Sequence, residues 1–122
     1  MTAPAGISPE IEAVLENGLN KTALTCLHCP SRILNPSVGT FVQQEFALPA
    51  MTKQKNQIID EKHELREFWK VKDMFQFENV GFSNTVDGVK YLTCADCEMG
   101  PIGWHDLVTK ENFIAVSRVR NS

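Results

Sequence analysis

Four cysteines carry the clearest chemistry in the chain. They fall in two pairs of identical spacing, Cys26-Leu-His-Cys29 and Cys94-Ala-Asp-Cys97. Thiolates two residues apart on a tight turn both reach one ion at about 2.3 Å, and two such turns complete the tetrahedron that zinc prefers. Disulfides are the competing reading, but the twinned spacing and the absence of a secretory-type N-terminus favour metal in a reducing compartment. A catalytic zinc keeps one position open for water, whereas four thiolates close the shell, so the expected role is structural. His28 and His105 stand close enough in sequence to replace a thiolate. With four sulfurs present they read as surface or outer-sphere histidines, and His63 reads as solvated.

Asp96 lies between two of the expected ligands. Its carboxylate is repelled by a dianionic thiolate cluster and should project outward, where it can meet a basic group of a partner; capping the N–H groups of its own turn is the alternative. Upstream, from Met74 to Phe82, apolar and polar positions roughly alternate. This predicts a strand with Phe75 and Phe77 on one face, by default the core face, and with Gln76 and Glu78 on the other. Met74 beside Asp73 and Glu78 then makes an adaptable outward binding surface. Gly100-Pro-Ile-Gly-Trp104 reads as a rigid turn presenting Ile102, with Trp104 either core or contact.

These residues need a scaffold. A chain of 122 residues suits one domain, because it can bury roughly two thirds of its unfolded surface, enough for one core and not two. The formal charge of −3 offers no basic footprint for phosphate backbones, so nucleic acid is not an expected partner. No window approaches the roughly 20 apolar residues of a membrane span. Ser8 as N-cap, Pro9 at the first helical position, Ile11, Val14 and Leu15 on one face, and Gly18 as a stop predict a short helix over 8–18 within an N-terminal extension of residues 1–20. Residues 21–120 form the expected zinc-binding β domain. Within it, strands are predicted at Thr22 to Cys26, Val38 to Leu48, Phe68 to Val71, Val89 to Thr93 and Phe113 to Arg120, with an Asp87-Gly88 hairpin turn. The polar stretch around 50–65 reads as a solvated, mobile loop, with a helix from Asp60 onward as the alternative.

The string Asp73-Met-Phe-Gln-Phe-Glu-Asn-Val-Gly-Phe82, followed by Cys94-Ala-Asp-Cys-Glu-Met-Gly-Pro-Ile-Gly-Trp-His105, resembles the Rab-interacting factor family, the zinc-binding guanine-nucleotide-release factors first known as suppressors of a yeast secretory Rab mutant. Arg32-Ile-Leu and Phe46-Ala-Leu-Pro-Ala-Met51 are similar to it as well. The resemblance implies a mainly β, antiparallel fold of the β-tent type, stapled by one structural zinc on Cys26, Cys29, Cys94 and Cys97. It also implies a cytosolic, monomeric protein that binds nucleotide-free Rab GTPases of the exocytic route and promotes slow GDP release, as exchange factor or chaperone, without covalent chemistry or direct membrane insertion. Asp73, Met74, Phe75, Glu78, Asn79 and Asp96 match the family's contact residues. A rival class, the B-type methionine sulfoxide reductases, is thought to share this general fold and zinc, but it needs a nucleophilic thiolate and all four cysteines are committed to metal.

Overall fold

The computed structural model describes residues 9–53, 62–86 and 88–121. It opens on one short helix, α1 (Pro9–Ala13), followed by a tiny hairpin of β1 (Leu15–Glu16) and β2 (Leu19–Asn20). The expected helix through Gly18 is therefore cut short, and its Ser8 cap lies outside the described residues. Asn17 and Gly18 both take positive φ, 54° and 80°, the geometry of the two-residue reversals that Asn-Gly favours, so Gly18 turns a hairpin instead of stopping a helix.

Two short strands bracket the first cysteine turn, β3 (Leu24–Cys26) and β4 (Arg32–Leu34). Two ten-residue strands follow, β5 (Thr40–Pro49) and β7 (Lys62–Val71), with the two-residue β6 (Thr52–Lys53) between them. The chain from Lys62 is thus strand, neither helix nor loop, and the rest of the expected 50–65 loop lies largely outside the described residues. The second half contains β8 (Val80–Val86), β9 (Val89–Cys94), β10 (Met99–Gly100), β11 (Gly103–Asp106), β12 (Asn112–Ala115) and β13 (Val119–Asn121). Val86 pairs with Val89 and Gly88 takes φ 81°, while Asp87, the other residue of the expected turn, lies outside the described residues.

Eight strands form one antiparallel sheet in the order β1-β2-β5-β7-β12-β11-β9-β8, and β13-β3-β4 form a three-stranded sheet. The fold is mainly antiparallel β, as expected. The predicted strand from Phe113 to Arg120 is broken by a 3-10 turn over Val116–Arg118, which moves the chain from the large sheet to the small one. One continuous strand could not serve both sheets.

The principal core joins Leu24, Ile33 and Leu34 from the small sheet to Trp69, Val71, Leu92 and Ile114 from the large one, with Ile102 beside them. Ile102 is therefore sealed and is not presented at a turn. A second cluster, Leu48, Phe68, Trp104, Phe113 and Ala115, includes Trp104 stacked between Phe46 and Phe113 at 3.9 and 4.4 Å. Trp104 is core. Adjacent residues such as Phe68 and Trp69 are both buried because the middle strands are covered on both faces. Gly103 permits the tight β11–β12 approach, since a Cβ there would lie 1.9 Å from the Phe113 carbonyl oxygen.

One buried side chain ties the N-terminal hairpin to this body. Asn20 donates from Nδ2 to the Thr22 and Asn35 carbonyls, each at 2.9 Å, and accepts at Oδ1 from the Val38 and Gly39 N–H groups at 3.0 and 2.8 Å. All its hydrogen-bonding capacity is used, and removing the amide would strand four backbone groups. Asn20→Ala is expected to lower unfolding stability by about 3 kcal/mol, read as a shift of the urea midpoint, while the exposed Gln44→Ala shifts it by less than about 0.5 kcal/mol. Equal midpoints for the two variants would contradict this role for Asn20.

Candidate metal centre and its flanking ledge

The two cysteine turns are ends of strands. Cys26 closes β3, its N–H donates to the Ser31 carbonyl at 2.9 Å, and the His28 N–H points at its sulfur at 3.3 Å. Cys94 closes β9, and the Glu98 N–H returns to the Cys94 carbonyl at 2.8 Å, with Glu98 at φ 63° completing the reversal. The turns meet. All four sulfurs lie within 4.8 Å of one another, and the cross-turn pairs Cys26–Cys97 and Cys29–Cys94 are each 3.6 Å apart.

A disulfide requires about 2.05 Å, so these are free thiols held as a cluster. A tetrahedron of sulfurs about 2.3 Å from a central zinc has edges of ~3.8 Å, close to the observed separations. The donor set therefore fits a soft divalent ion. Among the described residues the grouped candidate ligands are these four cysteines. His28 is exposed, and His105 is buried with Nδ1 2.7 Å from Asn112 Oδ1, so neither replaces a thiolate. The bare cluster is electrostatically uneven. Hydrogen bonds from Ser31, first its side chain and then its backbone, pull the Cys29 thiol down to about 6, while burial pushes Cys97 up to about 12 and Cys94 upward. Without a cation, burial favours the protonated thiol at Cys94 and Cys97; a divalent ion would displace those protons.

The segment before β8 is not the expected alternating strand. Asp73 Oδ1 accepts from the Phe75 N–H at 2.8 Å and caps a 3-10 turn over Met74–Gln76. That local bond overrides the period of two, as Asp side chains do when they offer the backbone a turn. As a result Phe75 does not join the core; it stands 88% exposed, beside Met74 at 39%. Only Phe77 turns inward, bridging to Leu34 and packing on the principal core.

Three further bonds lock this ledge to both cysteine turns. The Glu78 N–H donates to the Ile33 carbonyl at 2.9 Å, and Asn79 Nδ2 donates to the Arg32 carbonyl at 3.0 Å. The Asn79 carbonyl accepts from the Ala95 N–H at 2.7 Å, with Asn79 held at φ 52°. Asp73, Met74, Phe75, Glu78, Asn79 and Asp96 are all exposed. Asp96 adjoins Ala95 and accepts a hydrogen bond from the Ser31 hydroxyl, which also faces the Cys29 sulfur.

Two residues escaped the sequence reading. Phe82, 36% exposed and 6.5 Å from the Phe77 ring, extends the apolar surface along β8; its place in the same motif was the available signal. Ser31 carried none, because its link to Asp96 spans 65 positions.

A family model described as "Mss4 protein" matches residues 19–121. The "Guanine nucleotide exchange factor MSS4 homolog" of Drosophila melanogaster is 45% identical over 121 residues, which cover 98% of this chain and 96% of that protein. The protein of the same description from Schizosaccharomyces pombe is 32% identical over 104 residues, covering 84% and 100%. The motif from Asp73 to His105, the chain's two cysteine turns and a match over nearly the whole length lead to one assignment: the chain belongs to the Mss4 family.

Proposed function

We propose that this chain is a guanine-nucleotide-release factor that binds nucleotide-free Rab GTPases and promotes slow release of GDP without covalent chemistry. The observation that carries the reading is Phe75, a large aromatic 88% exposed on a capped turn that is hydrogen-bonded to both cysteine turns. Exposed aromatics held rigidly are the residues that dominate protein interfaces, and acidic neighbours select a basic partner. The relatives' description as exchange factors supports a GTPase as that partner.

The ledge acts through differential affinity. A factor that binds the empty GTPase more tightly than the loaded one must, by reciprocity, weaken nucleotide binding by the same factor. In this reading Met74 and Phe75 bury against apolar residues of the emptied GTPase, Asp73 keeps their turn closed, and Glu78 and Asn79 edge the contact. Asp96 exchanges the Ser31 hydroxyl for a cation near the GTPase's phosphate site. A zinc ion on Cys26, Cys29, Cys94 and Cys97 would supply a rigid, non-catalytic junction between the two turns. The protein works as a cytosolic monomer, and residues 21–120 act as one zinc-binding domain.

Phe75→Ala is expected to weaken the complex with nucleotide-free Rab by about 2 kcal/mol, roughly 30-fold, while leaving the thermal midpoint unchanged because the side chain packs on solvent. Asp96→Ala is expected to slow GDP release in a stopped-flow assay with fluorescent nucleotide. Wild-type affinity for Phe75→Ala together with wild-type release for Asp96→Ala would overturn the assignment.

Metal removal tests the junction separately. Elemental analysis of the reduced protein should find one zinc per chain. A structural zinc contributes an apparent ~10 to 16 kcal/mol in small peptides against a net domain stability of about 5 to 15 kcal/mol. Stripping it with a strong chelator should therefore abolish the near-ultraviolet circular dichroism of the core, and Cys29→Ser should reproduce the loss. A native spectrum from metal-free protein would exclude a structural role for the ion.

A further inference from the structure

Arg118 is a charged residue that the metal centre and the ledge leave unused. It ends the 3-10 turn between β12 and β13 and is only 5% exposed. Its Nη1 donates to the Pro49 and Pro101 carbonyls, both at 2.7 Å. Those two bonds consume both protons of one nitrogen. Among the described residues no carboxylate pairs with the guanidinium, and burial lowers its proton affinity. A buried cation answered only by carbonyl dipoles is costly, because neutral dipoles replace little of the hydration it has lost.

Among the described residues the Nε–Nη2 edge has no hydrogen-bond partner, and it is the two-donor fork that matches the two oxygens of a carboxylate or phosphate. Among the described residues the sealed polar side-chain atoms without a partner are Thr22 Oγ1, Trp69 Nε1 and Trp104 Nε1, and neither nitrogen of this edge is one of them. Arg118 lines a cavity of about 400 Å³ together with Ala50, Met51, His63, Leu65 and Ser117. Among the described residues no acid lines it, and its volume lies in the range of small-ligand sites.

We propose that this cavity is a binding site for a small oxyanion, a phosphate or a carboxylate, with Arg118 as the bidentate anchor and Ser117 beside it. None of its described lining residues belongs to the cysteine turns or the ledge, so the proposal stands independently of the GTPase reading. The preorganisation is visible in the bonds to Pro49 and Pro101, which fix the guanidinium plane before any ligand arrives. An anion there gains charge-assisted hydrogen bonds from a fork already held in place.

The test uses the full-length, zinc-loaded protein and no GTPase. The Arg118 Nε–H resonance is followed by NMR during titration with sodium phosphate and, separately, sodium succinate, at constant ionic strength maintained with chloride. A saturable shift with at least one of the two and none with chloride is expected, and the stronger responder identifies the ligand class. Ala50→Trp fills the cavity without removing either carbonyl bond and should weaken the response at least tenfold. Arg118→Lys should weaken it similarly, as followed on the Ser117 amide, because a point charge replaces the fork. No saturable shift with either anion, or a response untouched by Ala50→Trp, would overturn the proposal; Ala50→Trp decides the matter even if Arg118→Lys fails to fold.

Discussion

The convergence of four sulfurs is the constraint on which the remainder of the structure depends. Cys29 and Cys94 are 65 positions apart, yet their sulfurs lie at 3.6 Å, so the end of β3 in the small sheet is pinned to the end of β9 in the large one. Neither sheet can slide on the other without breaking the cluster. Pairing of Val119 with Cys26 closes the same corner from the C-terminal side, and the core fills the space between with Leu24, Leu34, Trp69 and Leu92. Packing alone would leave such a corner soft, because a three-stranded sheet of short strands offers little area.

The ledge depends on that corner for its shape. A seven-residue run holding one capped turn has no stability of its own, and its order comes from Arg32 and Ile33 on β4 and Ala95 on the second cysteine turn. An apolar side chain as exposed as Phe75 is what a recognition surface would present, and under the proposed function its setting beside acids would keep the patch from becoming indiscriminate. Rigidity matters because a preformed contact surface loses less conformational entropy on association. Under the proposed function, exchanging Ser31 for a partner cation at Asp96 would cost little, since the freed hydroxyl would regain a hydrogen bond from water.

Much of this was legible in the chain. The C-x-x-C repetition announced the cluster because ligand spacing is local, and Gly88 announced the β8–β9 reversal because positive φ suits a residue without a side chain. Asn17-Gly18 carried an equally clear signal, but the helix-like apolar spacing of Ile11, Val14 and Leu15 competed with it and the hairpin is what forms. The alternation from Met74 to Phe82 misled for a comparable reason: one carboxylate-to-backbone bond at Asp73 outweighs a hydrophobic period that has only two aromatics behind it. Arg118, Asn20 and Ser31 were invisible, because each acquires its role from partners that only the tertiary fold brings near.

Hydrogen–deuterium exchange on the zinc-loaded protein, free and with nucleotide-free or GDP-bound Rab, tests the central claim most directly. The account predicts that the empty GTPase protects the amides of residues 73–79 and 94–97 together, that the GDP form protects them far less, and that stripping the metal removes the protection. Protection confined to another face of the large sheet, or protection of the ledge that survives loss of the metal, would contradict it.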